Sequence, residues 1–134
     1  MATPLRPSVS PDTAFFWEGL RQRELRIQRC SSCSSLRHPP RPMCPHCNSL
    51  DWDIVVASGR GTLHSFVMPL HPQFPFMDYP YIVALVDLDE GVRLVSNLID
   101  IAPDDATIDM PVEVCFVEFE GDLVLHQFRP REDA

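Results

Sequence analysis

Residues 79–99, "YPYIVALVDLDEGVRLVSNLI", are two apolar-rich runs parted by a polar cluster. Short runs rich in Val, Ile, Leu and aromatics, bounded by turn residues, read as strands. The run breaks at Asp89, Glu90 and Gly91, a turn cluster, and so predicts two strands joined as a hairpin. Residues 110–128, "MPVEVCFVEFEGDLVLHQF", repeat the pattern with a turn at Glu120, Gly121 and Asp122. Between the hairpins, "IAPDDATID" is a polar connection with room for one helical turn. Upstream, "LDWDIVVASGRGTLHSFVMP" predicts one long strand that bends or bulges near Gly59 and Gly61. The order bent strand, hairpin, connector, hairpin gives about five strands, the number of a small closed barrel of the OB type. A β-sandwich needs about seven.

The first third of the chain reads differently. Residues 1–9 have no periodicity and are expected to be disordered. "SPDTAFFWEGLRQRE" then predicts a helix, with Ser10 as N-cap, Pro11 in the first helical position and Asp12 at the positive end of the dipole. Thr13, Phe16, Trp17 and Leu20 share one stripe. Three consecutive aromatics, Phe15, Phe16 and Trp17, are more than one short helix can hide, so part of this group is expected to dock elsewhere. "LRIQR", residues 25–29, alternates and predicts a short strand running into Cys30. The expected division is a disordered segment over 1–9, helix and ribbon over 10–53, barrel over 54–130 and a polar tail over 131–134.

Between the two regions lies "CSSCSSLRHPPRPMCPHC", residues 30–47. A Cys-x-x-Cys pair presents two thiolates from one tight turn, and a second pair completes a tetrahedron. Cys30, Cys33, Cys44 and Cys47 are therefore expected to hold a structural zinc ion. The segment is far below the roughly 40 residues that fold without a staple, so the metal would supply its folding energy. A rubredoxin-like iron site uses the same paired turns, usually with glycine after the second cysteine of each pair. Ser34 and Asn48 stand there instead, which weakens the iron reading without deciding it. No βαβ pattern surrounds either pair, which argues against a thioredoxin-like dithiol. His38 and His46 read as ribbon histidines, since four thiolates already fill the shell. Cys115 reads as an apolar mid-strand thiol.

Composition narrows the function classes. Of the 134 residues, the first 60 carry eight arginines against five acids, and the remainder three arginines against fourteen acids, giving a net charge of -8 with no lysine. An acidic barrel is a poor phosphate-tracking surface, which disfavours a nucleic-acid module. No apolar run approaches the roughly 20 residues that span a bilayer, and the N-terminus lacks a signal-peptide pattern. The chain is thus expected to be cytoplasmic and without membrane contact, where paired cysteines bind metal rather than form disulfides. No P-loop, dinucleotide fingerprint, GxSxG or HExxH occurs. His64 and His126 fall on predicted strands as packed or rim histidines. The loop "PLHPQFPFMDYPY", with Phe74, Phe76 and Tyr79, reads either as a lid on the barrel's own core or as a surface for a partner or an acyl chain. Arg37, Arg41 and Arg60 are candidate phosphate ligands near the junction of ribbon and barrel, against the plainer reading of arginines paired with the acidic barrel.

The order of these parts, an aromatic helix, "CSSC…PPRPMCPHC", "SGRGTLHSF", "PYIVALVDLDEGVRLVSNL", "MPVEVCFVEF" and a closing "FRP", resembles the zinc-ribbon/OB-fold acyl-CoA-associated proteins over residues 10–130. Asp109 in "IDMPV" departs from that pattern, which usually has glycine there. The resemblance implies a mainly β fold, an N-terminal helix with a rubredoxin-like zinc ribbon and a five-stranded OB-fold barrel. It implies an auxiliary, non-catalytic subunit of thiolases, acyltransferases or steroid side-chain aldolases, in a heterotetramer or similar assembly. It also implies that the ribbon and helix contact the partner enzyme and that the barrel helps bind the CoA thioester. Phe15, Phe16, Trp17, Phe74, Phe76 and Tyr79 are the expected interface anchors, because such anchors are typically aromatic.

Overall fold

The computed structural model describes residues 3–132. The architecture is mainly β, with one helix, a three-stranded sheet and a closed five-stranded barrel. Helix α1, Ala14–Arg21, starts three residues after the predicted Pro11. The Ser10 carbonyl instead accepts the N–H groups of Thr13 and Ala14 at 3.1 and 2.9 Å, closing a turn, and Thr13 becomes the N-cap. At the other end, Glu24 N–H reaches the Gly19 carbonyl at 2.8 Å while Arg23 takes a left-handed φ of 62°. This is the usual glycine-type helix ending, made here by an arginine.

Strands β1 (Arg26–Cys30), β2 (Leu36–Arg37) and β3 (Trp52–Val56) form an antiparallel sheet in the order β2-β1-β3. The run over residues 50–69, expected as one bent strand, is two strands in two sheets. β3 pairs along its whole length with β1, Arg26 opposite Val56 and Cys30 opposite Trp52. The chain then breaks at Ala57–Gly59, and β4 (Arg60–Val67) begins the barrel. Gly59 makes that crossing possible at φ 84°, where an added Cβ would lie 2.2 Å from Val114 Cγ1. The bulge predicted near the glycines falls further along, between Leu63 and Ser65.

The barrel continues with β5 (Ile82–Leu88), β6 (Arg93–Leu98), β7 (Pro111–Phe119) and β8 (Leu123–Pro130), in the order β4-β5-β6-β8-β7. Both predicted hairpins are present. Antiparallel pairing of Gly61 with Val112 and parallel pairing of Leu98 with Phe128 close the ring. The polar connector carries one 3₁₀ turn, Pro103–Asp105. β5 alternates buried and half-buried positions from end to end.

Helix, ribbon sheet and barrel share one core. Phe16 and Leu20 of α1 and Ile27 of β1, with Leu25 just before it, pack with Leu63, Val86, Leu94, Val112 and Phe128 of the barrel. Two backbone bonds cross the junction, Ala57 N–H to the Leu25 carbonyl and Val114 N–H to the Gly59 carbonyl, both at 2.8 Å. Residues 3–9 have no helix or strand, yet they are anchored: Arg6 Nη1 donates to the Gly121 carbonyl at 2.7 Å. The expectations for residues 1, 2, 133 and 134 lie outside the described residues. Among the described residues no helix is long and apolar enough to cross a membrane.

Candidate metal centre and binding surfaces

The two Cys-x-x-Cys turns are built alike. In the first, Ser34 N–H bonds to the Cys30 carbonyl and Cys30 N–H to the Ser35 carbonyl, both at 2.9 Å. In the second, Asn48 N–H bonds to the Cys44 carbonyl and Cys44 N–H to the Ser49 carbonyl, again both at 2.9 Å. Ser34 and Asn48 sit at φ 67° and 63°, so the left-handed backbone usually given to glycine is achieved without it. The missing glycines therefore carry no weight against an iron geometry.

These turns bring Cys30, Cys33, Cys44 and Cys47 together, their sulfurs all within 4.8 Å of one another. Cys30 and Cys47 sulfurs are 3.5 Å apart and those of Cys33 and Cys44 3.6 Å apart. Four thiolates at about 2.3 Å from a tetrahedral zinc would lie about 3.8 Å apart, so the cluster fits a Cys₄ metal site. Cys30 and Cys44 are buried, and Cys33 and Cys47 face outward. Backbone amides support the inner sulfurs, Cys33 N–H to Cys30 at 3.5 Å and His46 N–H to Cys44 at 3.4 Å.

Ser35, which the sequence did not single out, places its hydroxyl 3.1 Å from Cys33 Sγ and 3.5 Å from Cys44 Sγ. That hydroxyl and the amides of Cys47 and His46 hold the Cys44 thiol down at about 5, against the effect of desolvation. At Cys47 the Ser49 amide favours the thiolate, but Cys30, desolvation, Cys33 and Cys44 push it up to about 12. Four sulfurs cannot all ionise side by side without a cation between them. A bound dication removes that repulsion and releases protons as it enters.

The three arginines do not form one cluster. Arg37 is 5% exposed, and its Nε and Nη2 donate to the Arg41 carbonyl at 3.2 and 2.9 Å. Buried Gln28 grips the same residue, donating to the Arg41 carbonyl at 2.9 Å and accepting its N–H at 2.8 Å. Arg37 thus shapes the proline-rich turn and is withdrawn as a phosphate ligand, because its guanidinium is enclosed, with Nε and Nη2 on a backbone oxygen and Nη1 buried. Arg41 and Arg60 are exposed, one on the ribbon turn and one at the start of β4.

The aromatic candidates also separate. Phe16 is 3% exposed and belongs to the core, so it is withdrawn as an interface anchor. Consecutive helix positions point about 100° apart, and Phe16 takes the inward direction. Phe15 is half-buried against Trp52 at 4.9 Å between ring centroids, and Trp17 is half-buried beside Phe16 at 5.0 Å. In the loop after β4, Phe74 is 47% exposed and stacks on half-buried Phe76 at 5.3 Å. The Tyr79 hydroxyl accepts Phe74 N–H at 3.0 Å, which gives this loop internal structure. Beside it a cleft of about 430 Å³ opens at one end of the barrel, walled by Phe76, Tyr81, Ile101, Phe119 and Leu125, with Pro4 of the N-terminal segment at its side. A second cavity, of about 340 Å³, lies between α1, the turn His38–Pro40 and the barrel. His38 and His126, read from sequence as ordinary ribbon and strand histidines, both line it, a long-range meeting with no local signal.

Paired cysteine turns on a small sheet, packed by a helix onto a closed barrel, place the chain among the zinc-ribbon/OB-fold proteins. Comparison with known proteins agrees: the ChsH2 rubredoxin-like zinc ribbon domain matches residues 17–53, and the ChsH2 C-terminal OB-fold domain matches residues 54–117. The chain belongs to the ChsH2 family. It is 51% identical over 93% of its length to a probable enoyl-CoA hydratase alpha subunit of Thermomonospora curvata. It is 44% identical over 96% of its length to the 3-oxo-4,17-pregnadiene-20-carboxyl-CoA hydratase alpha subunit of Mycobacterium tuberculosis. It spans only 39% and 40% of those two relatives. A benzoylsuccinyl-CoA thiolase subunit, BbsA, of Thauera aromatica is 32% identical, with 81% of this chain and 79% of that subunit covered. Among solved structures, a chain of the Ltp2-ChsH2(DUF35) aldolase superposes with a TM-score of 0.90 at 51% identity, covering 93% of this chain and 98% of that one. The relatives named here thus carry the names of hydratase and thiolase subunits and of an aldolase.

Proposed function

We propose that the chain is a non-catalytic, zinc-bearing accessory unit of a thiolase- or aldolase-type acyl-CoA enzyme, and that it helps to hold the acyl-CoA. The observation that carries this reading is the near-complete correspondence with a chain of the Ltp2-ChsH2(DUF35) aldolase. The metal in this reading is structural zinc on Cys30, Cys33, Cys44 and Cys47. A centre with four protein thiolates keeps no open position for water or substrate, so its contribution is folding energy and not chemistry. Phe15, Trp17, Phe74, Phe76 and Tyr79 supply the aromatic contacts to the partner, and Arg41 and Arg60 the cations for CoA phosphates, within a heterotetramer or similar assembly in the cytoplasm.

Co-expression with Ltp2 in zinc-supplemented medium tests the reading. Co-elution of the two chains in size-exclusion chromatography is expected, together with weaker binding of acyl-CoA to the complex when Arg41 and Arg60 are replaced by Ala. Separate elution of the two chains, with and without acyl-CoA, overturns the subunit role. Unchanged acyl-CoA affinity in the double variant removes the arginines from it.

A further inference from the structure

The 340 Å³ cavity between helix, ribbon and barrel has apolar walls, Phe16, Pro39, Pro40, Leu85 and Val95 among them. Its size falls within the range of small-molecule sites, and it sits where separate structural units meet, a common place for them. Its polar atoms set it apart from the larger cleft. Trp17 Nε1 and His38 Nδ1 are buried with no hydrogen-bond partner, the buried ring of His126 has only the Val95 backbone beside one of its nitrogens, and all three side chains line this one cavity. Phe16 stands among them, its ring 5.0 Å from Trp17, 5.2 Å from His38 and 5.3 Å from His126. Buried polar groups are ordinarily satisfied, so several orphans around one cavity point to a ligand that satisfies them.

The character of these groups defines that ligand. Burial lowers His38. It lowers His126 as well, with the Val95 backbone opposing and His38 adding to the decrease. Both imidazoles are therefore neutral at pH 7, each with one donor and one acceptor, and the indole N–H only donates. The cation at the rim, Arg93, is spent on Asp87 through contacts of 2.6 and 3.2 Å. An anion would enter an apolar chamber with no uncommitted positive charge, and a plain hydrocarbon would leave the nitrogens unpaired. We propose that this cavity binds an uncharged, oxygenated hydrocarbon, a compact ketone or alcohol whose oxygen pairs with Trp17 and the imidazoles while its carbon frame fills the apolar walls. The site lies wholly within this chain and does not depend on the accessory role proposed above.

Titration of the zinc-loaded protein with 2-decalone and with decalin-2-carboxylate, followed by calorimetry and by the imidazole ¹⁵N resonances, tests the assignment. Saturable binding of the ketone is expected, at least tenfold tighter than that of the carboxylate at pH 7.5, with the His126 resonances shifting. Trp17→Phe and His126→Phe should each weaken ketone binding about five- to tenfold, the loss of one neutral hydrogen bond. Absence of saturable binding overturns the proposal and assigns the nitrogens to solvent. Tighter binding of the carboxylate overturns it in favour of an anion site, and unchanged affinity in both variants removes the polar atoms from it. Should a variant fail to fold, the wild-type resonances decide: a shift at His126 supports the site, and no shift at saturating ketone overturns it.

Discussion

The hydroxyl of Ser35 lies 3.5 Å from the sulfur of Cys44, on the buried side of the four-cysteine cluster. It also reaches Cys33 Sγ at 3.1 Å, so one side chain touches a ligand from each pair. Groups that hydrogen-bond to metal ligands orient them and tune their basicity. Ser35→Ala is expected to weaken zinc binding about tenfold, measured by competition with a chromophoric chelator. The fold should survive when zinc is saturating. Unchanged affinity would show that the hydroxyl contributes nothing to the centre.

Loss of the metal should reach beyond the ribbon. Structural zinc supplies about 10 kcal/mol or more in isolated zinc-finger peptides, comparable with the whole stability of a typical domain. Cys47→Ser is expected to lose stoichiometric zinc, and chelation of the native protein should have the same effect. In both cases amide-exchange protection should vanish in β1 to β3 and fall in α1, which packs on that sheet. Protection retained throughout the ribbon without metal would contradict the stapling role.

Gly61 is demanded by a backbone contact. A Cβ there would lie 2.4 Å from the carbonyl oxygen of Asp87 on the neighbouring strand. Neither strand can give way without disturbing the β4–β5 ladder. Gly61→Ala should therefore destabilise the protein by about 2 kcal/mol, seen as an earlier midpoint in urea unfolding. Gly91, by contrast, has nothing within 4 Å of an added Cβ, although its φ of 96° still favours glycine.

His126 should make stability fall with acid. Burial pushes it down to about 4, below the ordinary value near 6.5. Between these values the unfolded chain binds a proton that the folded chain refuses, so stability is lost as pH falls from about 6.5 to about 4 and is complete above that window. The loss is at most about 3 kcal/mol at 1.36 kcal/mol per unit. Asp53, held low by Arg29, and Asp87, held low by Arg93, add a separate loss below the ordinary carboxylate range. Urea unfolding of the native protein and His126→Phe, with excess zinc, should show a shallower pH slope in the variant between pH 6.5 and 5. Parallel slopes would rule out His126 as the source.

Local pattern made some of these parts legible. The spacing of Cys30, Cys33, Cys44 and Cys47 declared the metal centre because its geometry is carried by two short turns. The apolar run from Ile82 to Leu88, closed by the turn cluster at Asp89, Glu90 and Gly91, declared a strand. Phe16 was harder, since Phe15, Phe16 and Trp17 are alike in composition and only the helix orientation sorts them. The fate of Arg37 depends on a carbonyl four residues away across a folded turn, which no periodicity reveals. Likewise β3 and β4 share one apolar-rich run, and only the positive φ of Gly59 marks where the chain leaves one sheet for the other. Asp109, where the resembling family has glycine, keeps the left-handed φ of 68° and bonds its N–H to the Leu63 carbonyl at 2.7 Å, so the substitution leaves the turn intact.

The single core running from Phe16 and Ile27 into Val112 and Phe128 has a consequence for how the molecule can be handled by another. Shared side chains and the two backbone bonds at the junction tie helix α1 and strand β1, which leads into the first cysteine turn, to the barrel wall. An enzyme that grasps either end therefore inherits the bearing of the other, as a bracket bolted at one face sets the angle of its shelf.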